Sequence, residues 1–196
     1  VLITGTTSGI GLSLTKFYLG SNCKVIGIDR NINNILKEEI NYTQHIIDIS
    51  DYNQIDKIIL DLKNQNNIPD IFILNAGINI YDNSYYFNII DFRKCFEINF
   101  FGVFNFISSI EKNEIYKKKI LLISSTSNII PNPAALGYYS SKMLMLKLLP
   151  YLDKNNDIKI AVLGPIKTNI SRNLNAPTGV AKLIYNFLIA DPDQLT

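Results

Sequence analysis

Six short runs of almost unbroken apolar character, at 1–4, 24–29, 45–49, 71–74, 120–124 and 159–163, are separated by longer stretches with helical patterning. A strand buried on one face alternates apolar and polar residues, whereas one buried on both faces reads as a continuous apolar run. The intervening helices fall at 9–20, 53–66, 91–112, 138–152 and 178–190. Strands that alternate with helical crossovers make a parallel sheet covered on both sides. The predicted fold is therefore α/β, a doubly wound, Rossmann-like parallel sheet, with residues 1–196 forming a single domain.

Composition removes several function classes. Apolar residues are 47% of the 196 and charged residues 18%, which is incompatible with a disordered chain. The net charge of +2 leaves no electrostatic footprint for nucleic acid, and Lys117, Lys118 and Lys119 form a basic run that reads as a solvated loop. No apolar stretch approaches the roughly 18 residues that span a bilayer, and no signal peptide opens the chain. Cys23 and Cys95 are too few for a zinc site or a disulfide framework, so no metal is expected and the reading is soluble, reduced and cytoplasmic. Ile, Asn and Lys are abundant and share AT-rich codons, so single residues of these types carry little weight. Spacing carries the argument.

The first strand runs into Thr4-Gly5-Thr6-Thr7-Ser8-Gly9-Ile10-Gly11, followed by a helical pattern. Glycines here let the backbone turn tightly and approach a pyrophosphate, whose charge then sits at a helix N-terminus. With 9 Thr and 10 Gly in the chain, chance supplies this TGxxxGxG spacing only about 0.001 times. Gly5, Ser8, Gly9, Ile10 and Gly11 are accordingly candidate dinucleotide contacts. The second strand ends at Asp29, 18 residues beyond Gly11, where a carboxylate accepts from ribose hydroxyls and repels a 2′-phosphate. That favours NAD over NADP, although the adjacent Arg30 offers a guanidinium to a phosphate.

These features, with further landmarks in order, resemble the short-chain dehydrogenase/reductase family in its compact, single-domain branch. Asp48-Ile49 matches the adenine contact after the third strand, and Asn75-Ala76-Gly77 the loop after the fourth, with Leu74 where Asn is usual. Asn99 matches the family's active-site Asn, Ser125 its serine, and Tyr138 with Lys142 its YxxxK pair. Gly164, Ile166 and Thr168 match the loop that holds the nicotinamide carboxamide, with Leu163 where Pro is usual. Chance alone gives about 0.9 YxxxK matches in such a chain, but this is the one present, and Ser125 lies at the family's spacing, 13 residues upstream. The resemblance implies an NAD(P)-dependent oxidoreductase acting on a small-molecule carbonyl or alcohol.

The chemistry needs these groups. Reducing a carbonyl takes a hydride on carbon and a proton on oxygen, and a phenol with an ordinary pKa near 10 can donate but not readily accept. Tyr138 and Lys142 are four apart and share a helix face. An ammonium about 4–6 Å away would lower the phenol by roughly 2–3 pKa units. Ser125 would hydrogen-bond the substrate oxygen as charge develops. The resemblance further implies that Lys142 holds the nicotinamide ribose and that Asn99 anchors a water in the proton relay.

His45, the lone histidine, reads as a structural strand residue. Phe96, Phe100, Phe101, Phe104 and Phe106 cover more than one face of their helix, as do Met143, Leu144, Met145, Leu146, Leu148 and Leu149. In the family such helices meet across a subunit interface, which implies a homodimer or homotetramer. Pro150 should cut the helix after Lys142 short. Only residues 169–177 separate the carboxamide loop from the last helix, a short substrate lid, and Thr196 falls ahead of the family's final strand. Two competing functions are a sugar-nucleotide epimerase-like isomerase and a catalytically idle dinucleotide-binding scaffold. The first normally carries a TGxxGxxG spacing and a larger C-terminal region; the retained Asn99, Ser125, Tyr138 and Lys142 oppose the second.

Overall fold

The computed structural model describes residues 1–81, 87–126, 133–152 and 155–164. Six strands, β1 (Leu2–Thr4), β2 (Val25–Asp29), β3 (Tyr42–Ile46), β4 (Ile71–Leu74), β5 (Lys119–Ser125) and β6 (Asp157–Leu163), form one parallel sheet. Their order is β3-β2-β1-β4-β5-β6, so the winding reverses between β1 and β4. Ligands of doubly wound sheets bind at the strand C-termini beside that reversal.

Successive strand residues serve opposite layers. Leu2, Phe72, Leu74, Ile120 and Leu122 join one core with Ile55, Ile59, Val103, Phe106 and Ile110 of α2 (Tyr52–Asn64) and α4 (Gly102–Lys112). Ile3, Ile73, Leu121 and Ile123 meet Leu14 and Tyr18 of α1 (Gly9–Gly20) on the other side. This is why the strands read as continuous apolar runs. α2 begins at Asp51, whose carboxylate accepts from the backbone N–H groups of Asn53 and Gln54, a cap worth about 1 kcal/mol.

Three expectations are corrected. β3 spans Tyr42–Ile46 rather than 45–49, because it is the sheet edge, half exposed and polar in sequence, paired from Val25↔Tyr42 to Asp29↔Ile46. Ile47 and Ile49 lie beyond it, and Ile49 packs against Gly102 instead of completing a strand. The helix expected over 91–112 is α3 (Ile89–Phe96), a π-helical turn (Glu97–Phe101) and α4. Finally, α5 (Leu136–Leu148) starts two residues ahead of the expected 138, while its end before a 3₁₀ turn (Leu149–Tyr151) containing Pro150 is the shortening expected of that proline. The helix expected at 178–190 and the segment 169–177 lie outside the described residues.

Candidate active site

The turn between β1 and α1 is built by backbone contact. Gly5 has φ +76°, a left-handed conformation that favours glycine, and a Cβ on Gly11 would collide with the Gly5 carbonyl oxygen. Ser8 caps α1 in an extended conformation without a side-chain cap bond, and no acidic residue stands in the first turn. The first N–H groups of α1 thus lack a capping side chain at the positive end of the helix, an arrangement that fits a pyrophosphate. The turn is clamped from β4. Thr4 Oγ1 accepts from the backbone N–H of Asn75 (2.9 Å) and of Ala76 (2.8 Å), and the Asn75 amide donates to the Thr4 carbonyl (2.9 Å).

A cleft of about 210 Å³ opens along this turn. Of the residues read from sequence as cofactor contacts, it is lined by Gly5, Ser8, Gly9, Ile10, Asp29, Arg30, Asp48, Ile49, Asn75, Ala76 and Gly77. Gly11 shapes the turn from beneath. Gly164 ends the described part of the chain after β6, and Ile166 and Thr168 lie outside the described residues.

Asp29 is buried at the end of β2, and its carboxylate is tied to its own surroundings. One oxygen accepts from the Thr7 backbone N–H (3.0 Å) and hydroxyl (2.9 Å), the other from the Asn31 N–H (3.0 Å). A carboxylate offers about four acceptor positions, so about one remains. Asp48 is exposed and accepts from Ser50 N–H and hydroxyl.

At the far end of the cleft, beyond Gly77 and Ile78, lie the remaining polar candidates. Asn99 sits in the π-helical turn with 0% exposure. Its side-chain oxygen accepts from Ile78 N–H (2.7 Å), while its amide donates to the Ile78 carbonyl (2.9 Å) and to Ser141 Oγ (3.1 Å). A Cβ on Gly77 would lie 3.0 Å from Asn99 Oδ1 and 3.5 Å from Lys142 Nζ, so both side chains border the same small space. Ser125, at the end of β5, shares a hydrogen bond with Tyr138 in the first turn of α5. Ser124, one residue earlier and on the other face of the strand, is buried behind the Lys142 carbonyl.

The electrostatics differ from the sequence expectation. Burial pushes the Tyr138 phenol above its ordinary value of 10, with the Ser125 hydrogen bond opposing and Tyr81 and Cys95 adding to the rise. Lys142 is 3% exposed, and burial alone brings it from 10.5 to about 8. Its ammonium donates to the Ile123 carbonyl (2.8 Å) on β5. The four-residue spacing does set both side chains on α5, but the lysine stem turns to the strand, so the expected lowering of the phenol is not what the site displays.

Sequence reasoning missed Thr4 and Thr7, which fix the turn and Asp29, and Ile47, Ile78 and Ile98, which line the cleft. The only signal for the threonines was their position within the glycine turn. His45 is half buried in β3, as expected of a strand residue, and burial lowers its pKa. Among the described residues, no three His, Cys, Asp or Glu side chains cluster to hold a metal, and no helix is long and apolar enough to cross a membrane.

Comparison with known proteins agrees with this geometry. The chain is 29% identical over 173 residues to an uncharacterized oxidoreductase of Schizosaccharomyces pombe, covering 84% of this chain and 59% of that protein. It is 31% identical over 189 residues to the 3-oxoacyl-[acyl-carrier-protein] reductase FabG of Rickettsia prowazekii, covering 89% and 75%. Among solved structures, ElxO with NADP bound superposes with a TM-score of 0.83 at 23% identity, covering 100% of this chain and 92% of that one. The chain therefore spans about three fifths of the first of these relatives. Residues 1–179 match the short chain dehydrogenase family, and the chain belongs to it.

Proposed function

We propose that this protein is an oxidoreductase that moves hydride between NAD(H) and a carbonyl or secondary alcohol, with Tyr138 as general acid and base. The observation that carries the reading is that Asn99 and Lys142 border one small space beside Gly77, with Tyr138 one turn before Lys142 on α5, at the end of a cleft headed by a glycine turn. A bound nicotinamide would supply or accept the hydride; the protein supplies the proton and the geometry. Gly5, Ser8, Gly9 and Ile10 would hold the pyrophosphate at the start of α1. Ser125 orients the substrate oxygen, and Tyr138 gives it a proton. A phenol held above 10 is fully protonated near neutral pH, which suits reduction. In oxidation the same oxygen must take the proton, and an ammonium swung from Ile123 toward the phenol would assist. A nicotinamide ribose reaching Lys142 is one way to draw it there.

NAD(H) is the preferred cofactor in this reading. A 2′-phosphate would meet the buried Asp29 carboxylate, whose remaining acceptor position suits a ribose hydroxyl. ElxO binds NADP, and Arg30 on the cleft wall is the residue that would serve that choice here. For substrate, the short 169–177 segment leaves little chain to cover the site, so bulky carbonyls, or ones carried on a larger group, should outperform small ketones. The reductase from R. prowazekii is named for such a carried substrate. The small-molecule partner is joined by a second copy of the chain: Phe101 (47% exposed) and Leu136 (41%) leave apolar surface on the helices expected at an interface.

The deciding experiment follows NADH consumption with a panel of carbonyls. Turnover that is lost in Tyr138→Phe supports the reading. Binding of NADH without turnover of any carbonyl or alcohol would favour the scaffold, and interconversion of a sugar nucleotide without net NADH use would favour the isomerase.

A further inference from the structure

We propose that Ser141 is a positioning residue that locks Asn99 of the π-helical turn to the helix carrying Tyr138 and Lys142, an inference that rests on the oxidoreductase reading above. A serine in the middle of a helix competes with the backbone for hydrogen bonds and is a weaker helix former than alanine. Ser141 lies inside α5 with 0% exposure, where a hydroxyl is costly unless both its functions are used. They are. Its O–H donates to the Tyr138 carbonyl one turn earlier (2.8 Å), and its oxygen accepts from the Asn99 amide (3.1 Å).

That single oxygen joins three segments. Asn99 uses its other amide proton and its carbonyl on both backbone groups of Ile78, the residue after Gly77 in the cleft wall. Ser141 therefore connects the cleft wall, through Asn99, to the backbone of Tyr138, and it immediately precedes Lys142. The junction is dry: Asn99 and Ser141 have no exposed surface and Lys142 has 3%. The π turn matters here because it adds a residue to the helical path, and such turns recur at functional sites. The register between that turn and α5 sets how far the phenol stands from the end of the cleft, and hence from a reacting carbonyl. Misplacement on the order of 1 Å at a reacting group can cost about 100-fold in rate.

The test compares the parent, Ser141→Ala, Ser141→Thr, Asn99→Ala and the double variant Ser141→Ala/Asn99→Ala. In Ser141→Ala, kcat for carbonyl reduction should fall about 10- to 100-fold while the dissociation constant for NADH, read by fluorescence, changes less than about threefold. Ser141→Thr keeps the hydroxyl and should recover most of the loss. The double variant should be no slower than Asn99→Ala, because the two act as one unit. A kcat in Ser141→Ala within threefold of the parent, or losses that multiply in the double variant, would overturn the proposal. A second readout needs no turnover: NMR titration of ring-labelled tyrosine, with Tyr138 assigned by Tyr138→Phe, should shift the Tyr138 midpoint by about half a unit or more in Ser141→Ala. An unmoved midpoint also overturns it. If the parent turns over no carbonyl, the oxidoreductase reading fails, and the titration still decides the positioning role. Should Ser141→Ala not fold, Ser141→Cys, similar in size with a weak donor, takes its place under the same criteria.

Discussion

Replacing Lys142 with methionine removes a charge from one of the driest points of the site and keeps a stem of similar length. In the folded protein Lys142 releases its proton at about 8, in the unfolded chain at about 10.5. The difference of 10.5 − 8, or 2.5 units, makes the buried ammonium cost roughly 3 kcal/mol of stability at pH 7. Below both values each state carries the proton, and the full cost applies. Between them the unfolded chain binds more protons than the folded one, so folding gains as the pH rises, and the cost vanishes above the unfolded value. Lys142→Met removes this pH dependence. It also strips the Ile123 carbonyl of its donor, at about 1–3 kcal/mol independent of pH. The variant should therefore match or exceed the parent by up to about 2 kcal/mol at pH 7, and the parent should regain roughly 2–3 kcal/mol relative to it by pH 10. Tyr42 and Tyr138, raised above 10, lose stability as the pH climbs through their folded values, but they are common to both proteins and cancel in the difference. Urea unfolding of both proteins at pH 7, 8, 9 and 10, without added dinucleotide, gives the comparison. A stability difference that stays flat over that range would refute a buried, charged Lys142.

The remaining outcomes concern chemistry, cofactor and assembly. Tyr138→Phe should bind NADH within about threefold of the parent while losing about 100-fold or more in kcat, since the hydroxyl alone is removed; near-normal turnover would end its assignment as the proton donor. Asp29→Ala should narrow or reverse a preference for NADH over NADPH in fluorescence titrations, and should also loosen the glycine turn by freeing Thr7. Equal affinities in the parent would count against the carboxylate argument. Light scattering at micromolar concentration should give a dimer or tetramer, and a monomer would contradict the reading of the apolar helices.

Legibility followed burial. β1, β2, β4 and β5 lie within a residue or so of their expected bounds because each is covered on both faces, and a doubly covered strand has few alternatives to an apolar run. β3 escaped that logic. At the sheet edge its residues Tyr42, Thr43, Gln44 and His45 are polar and none is fully buried, with Tyr42, Gln44 and His45 half-buried and Thr43 exposed, while the apolar Ile47 and Ile49 beside it serve the cleft and α4. The eye follows the isoleucines. The π turn was illegible for another reason: one extra residue in a helical turn alters hydrogen bonding without altering composition or periodicity enough to register.

The site divides along the same physical line. Backbone-determined features were readable, because Gly5 and Gly11 are demanded by a turn that tolerates no Cβ, and the interval from Gly11 to Asp29 is the length of one crossover. Side-chain direction was not. Spacing put Lys142 one turn from Tyr138, and from that the ammonium was expected to act on the phenol; its four-carbon stem instead reaches the Ile123 carbonyl. Thr7 and Asp29 are 22 residues apart, and nothing local reveals that the hydroxyl of one occupies the carboxylate of the other. Ser141 is the sharpest case. In the sequence it is a small residue before the lysine with nothing local to mark it, and its meaning arises only when Asn99, 42 residues earlier, arrives at 3.1 Å. Hydrogen bonds that join distant segments are the part of a site that motif spacing leaves open, and in this protein they set where the phenol and the ammonium stand.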